Sequence, residues 1–413
     1  MLAHLHRDVK LIMASRGLRA FAFSYLNVVF AIYLNQLGYS TITIGVVYSV
    51  AYISGALLTA VWGFLSDRYG RKKILILLAV LTIVSNGIYI FFSHLFFILL
   101  AVVVANVGAG GSAGGGQGGG PFNPVEQALL AEKCGPEERN RIFSTNAFVG
   151  SVMGSLGALV SGLPQYLQES WGWNAVSSYR PLFALTILFS IALIFVFQAI
   201  TEEHRPSETK RVISKQSSAF ITKLSLLGIV DNFGAGLIGP LISYWFFLRF
   251  GVELKSLGIM FFLSYFLAAL SFLAAPIIAR RIGVVRTMVF SHAIASLLNL
   301  AIAFAPTFFI AGIMLVIRSF LAYMDNPLRE SYTMAMVKSE ERGSAAGVTH
   351  FARVVPFGVS PTLSAYMMQS LSLSVPLVIG GSLQLISDCA FYYLFRHVRP
   401  PEEQKSSRGD PHT

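Results

Sequence analysis

The chain has 413 residues, of which 54% are hydrophobic and 12% charged, with a mean hydropathy of +0.64. Soluble domains carry roughly 25% charged residues, so the composition excludes an ordinary soluble protein and points to a bilayer as solvent. The net charge of +11 would suit nucleic acid, but the basic residues sort by side of a membrane and form no single patch, so no nucleic-acid partner is expected.

The apolar runs are continuous rather than alternating. In lipid the backbone must satisfy its own hydrogen bonds, and such runs read as helices of about 20 residues. Turn signals cut them into twelve spans at 15–37, 42–65, 74–93, 95–118, 142–164, 180–200, 220–248, 254–279, 287–305, 307–325, 344–368 and 374–397. The first follows basic residues without a short apolar stretch and small-residue cleavage site, so it reads as an uncleaved span and not a signal peptide. Between spans four and five lies Cys134; Cys389 falls in span twelve, and neither spacing suggests a metal site or a disulfide framework. Trp171, Trp173 and Tyr179 flank the loop between spans five and six and read as an interfacial aromatic belt.

Of the 31 Lys and Arg residues, only Arg180, Arg249 and Lys255 fall in the loops of one side, and Arg318 and Arg353 fall inside spans. All the others lie at the N-terminus, in the loops after even-numbered spans, in the C-terminal tail, or within five residues of the adjoining span ends (Arg16, Arg19, Lys223 and Arg396). The positive-inside rule then puts both termini in the cytoplasm, with the plasma membrane as the expected site. The stretch 201–219, TEEHRPSETKRVISKQSSA, reads as a cytoplasmic linker between bundles at 1–200 and 220–398, with a tail at 399–413.

The halves read as copies. Asn123-Pro124 precedes Glu137-Glu138-Arg139, and Asn326-Pro327 precedes Glu340-Glu341-Arg342, both at an offset of 203. A weaker echo pairs Asp67-Arg68-Tyr69-Gly70 with Arg280-Arg281-Ile282-Gly283. Duplicated halves around a midplane cavity are a transporter plan. The copies differ beside Gly108–Gly120, where nine of thirteen residues are glycine. No Gly-Lys-Ser or Gly-Lys-Thr follows, so this is not a phosphate cradle. It reads either as close helix contact through small residues or as a gating hinge.

The loop after span two reads Gly63-Phe64-Leu65-Ser66-Asp67-Arg68-Tyr69-Gly70-Arg71-Lys72-Lys73. It resembles the G-x-L-x-D-R-x-G-R-K signature of the major facilitator superfamily, in the right loop and on the right side. The resemblance implies an all-α fold of twelve transmembrane helices in two pseudo-two-fold-related six-helix bundles, working as a monomer on a small-molecule substrate. It also implies a cytoplasmic gate of Gly63, Asp67, Arg68, Gly70 and Arg71. Asp67 would cap span eleven near Gly343-Ser344, a favourable place for an anion, and Arg71 would reach Glu126 or Glu132. Drug exporters of the superfamily carry an arginine in span four, where this chain has Asn106, and a G-x-x-x-G-P-x-x-G-G pattern in span five that is absent. The segments around Asp325-Asn326-Pro327 and Asp231–Pro240 resemble a branch of the superfamily without an assured substrate.

Ionisable residues inside a membrane are functional candidates by default. On these boundaries they are Asp231 in span seven, Arg318 in ten, Arg353 in eleven and Asp388 in twelve, with His292 and His350 as titratable rings. The first half is expected to lack a central charge and to offer Asn27, Asn106, Asn146, Tyr48 and Tyr52. Asp231, with Asn232, begins a stretch of three glycines ending in Pro240, where a helix should break and expose backbone groups. Asp231 is therefore the expected proton-coupling acid. Arg318 and Arg353 are its expected charge partners or an anionic-substrate anchor. Asp388 is assigned a supporting role and His292 that of a packed polar residue. Nothing implies a cofactor or metal. No nucleophile–base pair lies in the spans, so an enzyme is not expected. The reading is a proton-coupled secondary transporter; the alternatives are an uncoupled facilitator and a non-transporting receptor or scaffold.

Overall fold

The computed structural model describes residues 6–105, 120–134, 139–201, 215–336 and 342–396. Among them every regular element is helical. The first three spans are α1 (Arg7–Gln36), α2 (Thr41–Tyr69) and α3 (Arg71–Phe91); α4 (Leu95–Ala105) opens the expected fourth, and α5 (Phe122–Glu132) lies beyond its expected end. Residues 106–119, with Asn106 and most of the glycine run, lie outside the described residues. The fifth span is α6 (Arg139–Leu159), a 3-10 turn at Val160–Gly162 and α7 (Leu163–Trp171); the sixth is α8 (Arg180–Gln198). The seventh is α9 (Lys215–Ile238), a 3-10 turn at Gly239–Leu241 and α10 (Ile242–Phe250). Then follow α11 (Leu254–Ile282), α12 (Val284–Ala303), α13 (Phe308–Met336), α14 (Arg342–Ser370) and α15 (Val375–Phe395). By length and apolarity, nine helical stretches among the described residues can cross a membrane. Two shorter apolar helices, Leu95–Val104 and Phe308–Met324, and α14 lie at the positions of the other three expected spans without meeting that measure.

Local chemistry sets the ends of these helices. Ser40 caps α2 by accepting from the Thr43 N–H at 3.2 Å. Gly70 and Gly283 adopt φ of +99° and +90°, a backbone open to glycine but strained for other residues. Each ends a 29-residue helix, α2 or α11, and the next helix starts at once. The faint echo between residues 67–70 and 280–283 is therefore a repeat in backbone geometry. The expected break in span seven is present: Pro240 brings no N–H, and α9 gives way to a 3-10 turn around it. An equivalent break at Val160–Gly162, ahead of Pro164, was not legible in the sequence.

The helices form two sets. In the first, α1 packs on α6 and α8, α3 on α4 and α8, and α2 on α4. In the second, α9 packs on α14 and α15, α12 on α13 and α15, and α11 on α13. The sets meet where α2 lies against α14 and α6 against α11. Polarity is arranged for lipid: Ser85, Asn86, Thr186 and Asn299 are buried, while Phe91, Phe96, Phe195 and Phe309 are exposed. Lipid does not drive apolar groups inward, so small and polar residues take the helix contacts. Trp171 and Trp173 are exposed as a belt requires, but Tyr179 is not part of it. Its ring is buried 5.4 Å from that of Tyr33, because the turn at Ser177–Tyr179 tucks it under α1. Cys134 is buried and Cys389 exposed, and among the described residues neither forms a disulfide.

Candidate functional site

The contact between the two sets is closed at one end of the molecule. Gly45 on α2 lies so close to α14 that an added Cβ would collide with Ala365 and sit 2.6 Å from the Pro361 carbonyl oxygen. Thr362 donates to Ser49 at 2.8 Å, or accepts from it, and the Ile42 N–H reaches the Gln369 side chain at 3.1 Å. Asn35 donates to the Tyr244 hydroxyl at 3.0 Å, and the Lys255 N–H reaches Gln165 at 3.2 Å. Further along, Tyr52 packs edge-on against Phe357, with ring centroids 4.8 Å apart. Gly63 lies on the same α2 stripe as Gly45, five helical turns on and about 27 Å away by helical rise. Among the described residues, a Cβ at Gly63 would meet nothing within 4 Å. Among the described residues the halves touch at the Gly45 end, and no such approach is recorded at Gly63.

At the centre, four elements bring hydroxyl and amide groups together. The Tyr265 hydroxyl on α11 hydrogen bonds the Asn27 side chain on α1. Tyr52 on α2 and Tyr323 on α13 lie near enough for their hydroxyls to interact. Asn27 thus reaches the interface as expected. Tyr265 and Tyr323 were missed, because an isolated tyrosine in an apolar run carries no periodic signal. Arg318, half-buried on α13, has its Nε sheltered from solvent without a hydrogen-bond partner. Arg353 lays its stem against Gly228 on α9. Among the described residues the ion pair recorded for Asp231 is with His292. Asn232 turns back to its own helix, donating to the Gly228 carbonyl at 2.9 Å. The hydroxyls of Ser360 and Ser364 on α14 satisfy the Phe233 and Leu237 carbonyls beside the α9 break, at 2.9 and 2.6 Å.

The partner of Asp231 comes instead from α12. His292 Nε2 lies 3.7 Å from Asp231 Oδ1, and its Nδ1 lies 2.8 and 3.0 Å from the two oxygens of Asp388 on α15. Ser296 also donates to Asp388 at 3.0 Å. His292 and Asp388, expected as a packed polar residue and a supporting one, thus join Asp231 in one buried cluster. The first half does not lack buried charge either. Glu126 on α5 accepts hydrogen bonds from Ser15 and Arg19 on α1, and the Arg19–Glu126 pair is almost fully buried. Arg16 reaches Asn123 at 2.7 Å. Arg16 and Arg19 had been counted with the basic N-terminal flank, because no local pattern reveals a partner more than a hundred residues away.

The basic loop follows its expected geometry in part. Arg71 forms an ion pair with Glu132 at the end of α5, not with Glu126, which Arg19 occupies. Arg68 is exposed over the Tyr69 ring, 5.5 Å from its centroid. Lys72 donates to the Gln198 and Ile200 carbonyls at 2.6 and 2.9 Å, closing the end of α8. The Asp67, Gly343, Ser344 and His350 side chains lie outside those described.

The sequence profile of the Major Facilitator Superfamily matches residues 12–228 and 224–413. The chain belongs to this superfamily. It is similar to the uncharacterized membrane protein YJR124C of Saccharomyces cerevisiae, with 22% identity over 97% of each chain. It is also similar to the multidrug resistance protein MdtG of Escherichia coli, with 25% identity over 54% of this chain and 53% of that one. Among solved structures, the inward-open xylose transporter XylE from E. coli has a TM-score of 0.74 at 14% identity, covering 97% of this chain and 99% of that one. As a superfamily member the chain is an integral membrane protein with a transporter fold.

Proposed function

We propose that this superfamily member is a secondary transporter that carries a small molecule across the plasma membrane by alternating access, as a monomer and not as an enzyme. Both termini lie in the cytoplasm on this reading, and the described state faces inward. The observation that carries it is the close packing at one end of α2, where Gly45 is jammed against α14, while among the described residues no such contact is recorded at Gly63 on the same stripe. A static scaffold would gain from packing both ends; a rocking pair of bundles can pack only one at a time. Cargo would bind near Asn27, Tyr52, Tyr265 and Tyr323, with Arg318 and Arg353 as candidate anchors for an anionic group and Asn106 and Asn232 as further polar candidates. The gate of Gly63, Asp67, Arg68, Gly70 and Arg71 would close the cytoplasmic end in the opposite state.

The test begins with a thermal-shift screen of metabolites and drugs, since a bound ligand raises apparent stability. Counterflow of a hit is then measured in proteoliposomes with Ile42→Cys and Gln369→Cys joined by a short cross-linker that contains a reducible disulfide, in a background lacking the two native cysteines. Locking that end should stop counterflow, and reduction should restore it. Undiminished counterflow in the locked protein would refute alternating access. Proton coupling through Asp231 is supported by its burial beside a broken helix. Asp231→Asn should abolish accumulation driven by a pH gradient, while a facilitator would show flux indifferent to that gradient.

A further inference from the structure

We propose that Asp231, His292 and Asp388 form one proton-binding unit inside the second half, in which His292 carries the proton, Asp231 exchanges it with the cavity and Asp388 positions the ring. The unit deepens the coupling proposed for Asp231, but proton binding itself needs no transport to be observed.

Three helices build it. Gly234 on α9 faces Gly380 on α15, where an added Cβ would come within 2.6 Å of the opposite carbonyl oxygen in either direction. Gly381 meets Leu300 and the Ser296 carbonyl on α12 at 3.0–3.2 Å. These glycines draw α9, α12 and α15 together, and Asn299–Gln384 at 2.9 Å and Ser387–Leu227 at 3.1 Å fix the register. The imidazole of His292 is thereby held between two carboxylates, all three residues being 91% or more buried.

The charge count makes the unit a proton trap. With a neutral ring, two carboxylates would share a buried space, an arrangement in which like charges oppose ionisation. With the ring protonated, each N–H faces an oxygen, and the unit carries one net negative charge. Around it, Arg329 on α13 acts electrostatically on Asp388 and stacks on Phe391 at 5.2 Å, while Arg353 on α14 touches Gly228, one turn before Asp231. The two sides of the ring differ. Asp388 holds Nδ1 with normal hydrogen-bond geometry and a second donor in Ser296. Asp231 stands 3.7 Å from Nε2, beyond hydrogen-bond length, and its Oδ1 has no hydrogen-bond partner. Transfer moves the Nε2 proton to an Asp231 oxygen, leaving a neutral ring with its Nδ1–H on Asp388 and the net charge unchanged. Release from Asp231 to the cavity then completes the step. Because α9 breaks three turns of chain or less beyond Asp231, at Gly239–Leu241, bending there would alter the 3.7 Å gap and link the proton to the rocking motion.

The experiment counts protons on detergent-purified protein by potentiometric titration from about pH 5 to 9, the range in which histidine switches. The wild type should bind one proton more per chain than His292→Gln. Asp231→Asn and Asp388→Asn should each move that step to lower pH by at least about one unit, the size of shift an adjacent charge produces. If His292→Gln does not fold, the ring-nitrogen NMR signals of 15N-labelled histidine report the same step in the wild type and the two Asn variants. Equal proton counts, or a step unmoved by Asp231→Asn, would show His292 to be a packing residue and overturn the proposal. A protein that binds the proton but transports no ligand would instead count against the transporter reading alone.

Discussion

The two halves of the chain bury charge in opposite ways. In the first, Glu126 receives Arg19 and Ser15, and the carboxylate is fully matched. In the second, two carboxylates share one imidazole, and only Asp388 is fully hydrogen bonded. A matched pair resists change, because separating it strands a charge in a low-dielectric interior. On the proposal above, the cluster of two carboxylates around one imidazole would hold a mobile proton, and its charge would alter when that proton leaves. The matched pair joins α1 to α5 beside the gate motif, whereas the unmatched cluster sits beside the broken α9. On that proposal, rigidity and switching would be divided between the halves.

The strongest way to break this contrast is Glu126→Ala. It leaves Arg19 buried and unpaired, and should cost about 3–5 kcal/mol, visible as a large fall in the thermal unfolding temperature. Pairing it with Arg19→Met should restore much of the loss, since an apolar replacement of both partners is tolerated. Next comes Gly45→Val, whose branched side chain overpacks the closed end and should cost about 1–3 kcal/mol. It should also speed cross-linking between Gly63→Cys and Val348→Cys by favouring the opposite state. Asp231→Asn should move the unfolding temperature much less than Glu126→Ala, since Asp231 lacks a full hydrogen bond to lose, yet it should eliminate pH-gradient-driven uptake. The smallest effect belongs to Arg71→Ala. The Arg71–Glu132 pair is partly open to solvent, with Glu132 41% exposed, and exposed pairs contribute about 0–1 kcal/mol. Its signature should be altered cross-linking at the basic end, with stability hardly changed.

Much of the fold could be read from the chain because each feature is local. A span needs only a run of apolar residues, and the repeat announces itself in Asn123-Pro124 and Asn326-Pro327. The loop glycines Gly70 and Gly283 marked the helix ends that their backbone angles confirm. The candidate site was less legible. Asp231 and Asn27 stood out as polar residues in apolar runs, but Asp231 was matched to Arg318 and Arg353 by depth alone. Depth along separate helices does not say which faces meet. The His292 ring and the Asp388 carboxylate lie 96 residues apart, and Arg19 and Glu126 lie 107 apart. Only the close approaches at Gly234, Gly380 and Gly381 decide that the first pair touches.

The sequence by itself determined that this is a helical membrane protein of duplicated halves, which side of each span is basic, and where a gate motif lies. These follow from hydropathy, charge and short-range backbone chemistry, all written within a few residues. Tertiary structure alone decided which buried charges are partners, that Glu132 and not Glu126 meets Arg71, and that the halves close on each other at Gly45. Those outcomes depend on how helix faces rotate and slide against one another, a matter of small-residue contacts between segments far apart in the chain.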